Sequence, residues 1–278
     1  MKRIYLNLKR FDIPREFGGV NSIFPVREWG TGILKHIQKP LQAYPENEVT
    51  FTVFFPEAHI FNAVKAQYKN SPVRIGCQGV YREDTAIGGN FGAFTSNRTA
   101  HAARVIGCTD TMIGHVEERR DKIGILQEAG VTDLRVVNRI LNQEIRCAMN
   151  AGLSVLYCIG ETAEEQRNWQ EVLMQQLITG LDGIGMNQVT IAYEPVWAIG
   201  PGKTPPDKDY IQKIARFIKQ VTNNAPVVYG GGLKVDNAGM LASIPELDGG
   251  LIALTRFTGE IGFYPEEYLE IVRTYLGK

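Results

Sequence analysis

Residues 192–206, AYEPVWAIGPGKTPP, place one carboxylate, Glu194, between a short apolar run and a Pro-Val-Trp step, with Gly200, Gly202 and Lys203 close behind. A solvated surface acid, the ordinary role of a glutamate, needs neither neighbour. A carboxylate at the end of a buried strand has its pKa raised toward neutrality, and it can then act as a general base. The proline and tryptophan stiffen one hinge of the segment that follows. Gly200 and Gly202 let its amides come close to an anion, and its closure would keep water from the site. A second glycine run, YGGG at 229–232, supplies Gly230, Gly231 and Gly232, whose amides suit an anion. His115 is one of only four histidines, and it stands between a glycine and a charged helix start in GHVEERR (114–120). Asn7 and Lys9 follow the first apolar run, RIYLNL.

These groups can converge only if the elements carrying them form a closed array. Eight short apolar runs recur, at 3–8, 48–55, 73–79, 110–114, 153–160, 189–194, 226–231 and 249–254. Most are continuously apolar, as strands buried on both faces should be. Helical spacing fits 138–152, 162–181 with Thr162 at its cap, 207–222 and 265–276. Strands alternating with helices give a parallel sheet. Eight such pairs in 278 residues predict an α/β fold, a (β/α)8 barrel formed as a single domain over 1–278, with an open doubly wound sheet as the alternative. In such a barrel the loops after the strands build the site, and Asn7, Lys9, His115, Glu194 and Gly230 to Gly232 all fall there.

Thirty basic residues balance thirty acidic ones, which gives no bulk attraction to nucleic acid or to an anionic membrane. No apolar run approaches the ~20 residues of a membrane span. The N-terminus lacks the apolar stretch of a signal peptide. The four cysteines are far apart, so they read as reduced thiols rather than a zinc site. A cytoplasmic protein is expected.

The chain resembles the triosephosphate isomerase family. The resemblance is carried by AYEPVWAIGPGKT, by CIGET (158–162), GAFTS (92–96), YGGG and NLK (7–9), and by GHVEERR with one residue inserted. These motifs run in the family's order over nearly the whole chain. The resemblance implies that Glu194 is the base, that His115 is a neutral imidazole polarising the carbonyl, and that Lys9, oriented by Asn7, stabilises the enediolate. It implies no metal and no organic cofactor, a small sugar-phosphate substrate and a homodimer. The expected reaction interconverts D-glyceraldehyde 3-phosphate and dihydroxyacetone phosphate. The alternatives are isomerisation of a four-carbon ketose phosphate, or a catalytically weak barrel with a binding role.

Several positions depart from the family pattern. The insertion leaves open whether Glu117 or Glu118 is the acid that pairs with Lys9 or a neighbouring arginine. Gly232 stands where the family has a serine, and Ala253-Leu254 where it has two glycines. Arg256 is then the nearest cation in sequence, either a bidentate phosphate contact or a rim ion pair. Ser96-Asn97 replace the glycine-glutamate that ends the inter-subunit loop. The segment 11–30 is unlike the family's first loop and is expected to cover the substrate mouth or to add to an interface.

Overall fold

Val, Ile, Tyr and Phe dominate the short runs that become strands in the computed structural model, which describes residues 1–200 and 202–277. The strands are β1 (Lys2–Asn7), β2 (Val49–Phe55), β3 (Val73–Cys77), β4 (Asp110–Ile113), β5 (Ser154–Ile159), β6 (Val189–Tyr193), β7 (Val227–Tyr229) and β8 (Gly249–Ile252). Each pairs in parallel with the next. β1 closes the ring against β8, with Arg3 opposite Gly249 and Leu6 opposite Ile252. All eight expected strands are present, and the open sheet is excluded.

Around the ring lie α1 (Trp29–Leu41), α2 (Glu57–Ala66), α3 (Ala100–Ile106), α4 (Val116–Glu128), α5 (Arg135–Asn150), α6 (Trp169–Gly180), α7 (Lys208–Val221), α8 (Val235–Ala242) and α9 (Pro265–Leu276). None is long and apolar enough to cross a membrane. Alternation along each strand sorts the apolar side chains into two cores. Tyr5, Phe54, Met112, Leu156, Cys158, Ala192, Val228 and Leu251 fill the barrel. Ile4, Leu6, Phe51, Val53, Val155 and Tyr157 face outward, into the layer shared with the helices.

The expected helix 162–181 begins late. The Thr162 hydroxyl accepts from the Glu165 amide at 3.4 Å, and Glu165 accepts from the Thr162 amide at 2.9 Å. That reciprocal cap closes one turn only. A 3-10 turn at Gln166–Asn168 intervenes before α6. The expected 138–152 helix starts earlier, at Arg135, and ends at Asn150.

The loops after β1 and β8 brace one another, since their strands are neighbours. Arg15 pairs with Glu260 at 3.2 Å. Arg256 and Gly262 form an antiparallel bridge that makes the eighth loop a small hairpin. Asp12, buried, accepts from Arg10 at 2.8 Å and lies 3.3 Å from His59 Nε2, which ties the first loop down onto α2.

Candidate active site

Asn7 ends β1 and is buried. Its Oδ1 accepts from the Lys9 amide at 3.0 Å and from Gln78 Nε2 at 3.1 Å, and Gln78 also donates to the Lys9 carbonyl at 3.1 Å. Those bonds hold Lys9 at φ 41°, a left-handed conformation that a non-glycine residue rarely adopts. Gln78 carried no signal in the sequence beyond its place just after a strand. The Lys9 ammonium meets Glu117 Oε1 at 3.2 Å.

That contact settles the register left open by the insertion. Glu117 faces Lys9, while Glu118 turns back and accepts from the Gly114 amide at 2.6 Å and from Lys122 at 2.7 Å. Lys122 also meets Glu144 at 3.0 Å. Burial works against the Glu118 charge, but its bonds with Glu144, Lys122 and the Gly114 amide outweigh it and lower the pKa. Glu144 is the partner that keeps a proton, pushed up to about 9 by burial and by the Glu118 charge.

His115 is the N-cap of α4, and its Nδ1 accepts from the Glu117 amide at 3.3 Å. With Nδ1 accepting, the ring proton of the neutral imidazole belongs on Nε2. Nε2 lies 3.4 Å from Glu194 Oε1. The other oxygen, Oε2, accepts from the Val116 amide at 3.1 Å. Burial raises the Glu194 pKa, and His115, the Val116 amide and Lys9 pull the other way. Burial thus raises the pKa of a 2 % exposed carboxylate against the opposing pull of its neighbours, which suits a base that must change protonation state.

The segment after Glu194 is pinned from below. Glu161, the acid of CIGET, is fully buried, and burial raises its pKa. Its Oε1 accepts from Tyr193 at 2.8 Å, from Trp197 Nε1 at 2.8 Å and from Tyr210 at 3.2 Å. Trp197 sits in the 3-10 turn Val196–Ala198 directly after the proline, so that hinge is anchored to the barrel through Glu161.

A cavity of about 250 Å³ opens over these groups. Asn7, Lys9, His115, Glu194, Gly200, Gly230, Gly231 and Gly232 line it, as do Lys203, Lys234, Phe11, Ala253, Leu254 and Phe257. Gly230 is required by crowding, since a Cβ there would lie 2.7 Å from Glu194 Cγ. Gly200 and Gly202 have φ of 121° and 75°, though Gly202 is not among the lining residues. Pro201, in the same loop, lies outside the described residues.

Arg256 does not reach this cavity. Its Nε and Nη2 both donate to Glu267 Oε1, at 2.8 and 2.5 Å, and its guanidinium stacks 3.9 Å from the Tyr264 ring. It is a rim ion pair, and the expectation of a phosphate contact is corrected. The eighth-loop hairpin turns its side chain toward α9 rather than toward the barrel mouth. Lys234, which the sequence did not single out, lines the cavity instead.

The triosephosphate isomerase family profile matches residues 30–272. The chain is 31 % identical over 252 residues to triosephosphate isomerase of Lawsonia intracellularis, covering 86 % of this chain and 89 % of that one. It is 34 % identical over 213 residues to that of Geobacter metallireducens, covering 72 % and 78 %. The crystal structure of triosephosphate isomerase from Bartonella henselae superposes with a TM-score of 0.74 at 23 % identity, covering 99 % of both chains, and shows the shared fold. With a profile match over most of its length and relatives above 30 % identity, the chain belongs to the triosephosphate isomerase family.

Proposed function

We propose that this chain interconverts D-glyceraldehyde 3-phosphate and dihydroxyacetone phosphate through an enediol, as one catalytic domain over 1–278. The observation that carries the reading is the pairing of a buried Glu194 carboxylate with the Nε2 face of His115. Glu194 leaves the Val116 amide and removes a proton from the carbon beside the substrate carbonyl. His115 Nε2–H donates to the carbonyl oxygen as negative charge develops there, and the Lys9 ammonium balances that charge. The proton on Glu194 then returns to the neighbouring carbon, and His115 moves the hydroxyl proton between the two oxygens. Asn7 and Gln78 act by holding Lys9 in its left-handed backbone conformation. The Trp197–Glu161 anchor fixes one end of the segment that closes over the intermediate and excludes water. Gly200, Gly202 and Gly230 to Gly232 offer amides to the phosphate.

A homodimer is part of the same reading. Phe91 and Ile87 stand fully out on the loop between β3 and α3, and that loop carries the GAFTS motif. The cytoplasm is the proposed compartment. The test is a coupled assay with the purified chain on both triose phosphates and on a tetrulose phosphate. Turnover of the trioses with kcat/KM well above that on the tetrulose is expected. A preference for the tetrulose, or no turnover of either, would overturn the assignment.

A further inference from the structure

We propose that the Lys234 ammonium, seated on the face of Phe257, is the cation that receives the substrate's phosphate group; this deepens the isomerase reading above and rests on it for the identity of the phosphate's carrier. The chemistry at the base comes from β1, β4 and β6. The phosphate end is therefore left to the neighbouring β7 and β8 loops, where Gly230, Gly231 and Gly232 provide amides. Ala253 and Leu254, just after β8, line the same wall. Their side chains stand where two glycines would let backbone amides approach an anion closely. A phosphate dianion in a cavity with fewer donors needs another partner.

Three ammonium groups line the cavity: Lys9, Lys203 and Lys234. Lys9 is paired with Glu117. Lys203 is exposed, on the segment after β6. Lys234 is half-buried at the start of α8 and makes no ion pair among the described residues. Its Nζ lies 3.8 Å from the Phe257 ring centroid, a cation–π contact that fixes the ammonium without neutralising it. Burial lowers the Lys234 pKa, with Asp236 pulling the other way. An anion arriving beside the ammonium would offset that desolvation. Gly232 completes the arrangement. It has φ 98°, and the nearest neighbour of a Cβ placed there is Lys234 Cε at 3.6 Å. That distance is an ordinary van der Waals contact, so it is the positive φ that favours glycine at 232, directly beside the Lys234 stem.

Titration of the full chain with inorganic phosphate, by calorimetry, reads this contact without catalysis. Lys234→Met is expected to weaken phosphate binding about ten- to a hundred-fold, the range of one charged hydrogen bond, and to raise KM for dihydroxyacetone phosphate in parallel while kcat changes less. Lys234→Arg should restore most of the affinity, and Arg256→Ala should leave it unchanged. Lys234→Gln provides a second readout if the methionine variant is poorly folded by circular dichroism. Phosphate affinity within two-fold of wild type in folded Lys234→Met or Lys234→Gln would overturn the assignment, as would loss of binding in Lys203→Met instead. If phosphate binding falls as expected while wild type fails to turn over either triose phosphate, Lys234 stands as an anion site and the isomerase reading alone fails.

Discussion

Gly230→Ala adds one methyl group at the point where the glycine run passes beneath Glu194, the proposed base. The new Cβ would lie 2.7 Å from Glu194 Cγ and 2.9 Å from the Tyr193 carbonyl oxygen. Carbon atoms in contact settle at about 3.5–4.0 Å, so close to 1 Å must be found. The backbone cannot supply it, because the Gly230 amide donates to that same Tyr193 carbonyl at 2.6 Å and Tyr193 is locked in the β6–β7 register. The Glu194 side chain is the part free to move. It would shift away from β7, displacing both the 3.4 Å approach to His115 Nε2 and the 3.1 Å bond from Val116. A misplacement of about 1 Å can reduce turnover ~100-fold, or roughly 2.7 kcal/mol of barrier at 1.36 kcal/mol per decade. Overpacking should also remove ~1–3 kcal/mol of stability. Steady-state kinetics on glyceraldehyde 3-phosphate, beside a thermal melt, measure both. A folded Gly230→Ala enzyme with kcat within three-fold of wild type would refute the claim that this glycine sets the position of the base.

Glu194→Asp should lower kcat ~100-fold with KM nearly unchanged, because it retracts the carboxylate by about 1 Å without touching the phosphate end; steady-state kinetics check it, and near-normal turnover would remove Glu194 as the base. Lys9→Met keeps the apolar stem and deletes the charge, so activity should fall by at least ~100-fold while circular dichroism stays native. Glu144→Gln tests the carboxyl pair behind His115. The folded pKa of Glu144 is pushed up to about 9 from 4.5, so the folded state holds a proton that the unfolded state has lost, and this contribution to stability is complete below pH 4.5 and disappears as pH rises toward 9. Melting temperatures from pH 5 to 9 should therefore fall more steeply for wild type than for Glu144→Gln, and parallel curves would show that the pair holds no such proton.

The barrel was legible because strands buried on both faces are mostly apolar along their length. Runs such as VTIAYE and LSVLYCIG could be read without knowing which residues faced inward. Residues 162–168 were less so, because Thr162 and Glu165 satisfy each other as a helix cap would, and the one-turn limit of that cap is set by packing that the sequence does not display. Asn7, Lys9, His115 and Glu194 were singled out from their places at strand ends, and the structure brings all four to one cavity. The Glu117–Glu118 choice needed the trajectory of α4, since both acids occupy its first turn and only one faces β1. Arg256 and Lys234 show the limit of sequence proximity. The arginine lies closest in the chain to the altered loop, but the hairpin built on the Arg256–Gly262 bridge turns it to Glu267. Lys234, well before Arg256 in sequence, reaches the cavity because β7 and β8 are neighbours.

The closure of β1 against β8 also sets the order in which a ribosome can deliver this enzyme. The Lys2 ammonium donates to the Leu247 carbonyl across 245 residues of chain, and the two strands that seal the ring lie at its opposite ends. At about 5–20 residues per second of synthesis, β1 waits roughly ten to fifty seconds for its second partner. Through that interval its outer edge, flanked by Ile4 and Leu6, is an unpaired strand open to other nascent chains. The first strand of the barrel to be made is thus among the last to be completed, and the protein's yield in a crowded cell depends on how well that waiting edge is shielded.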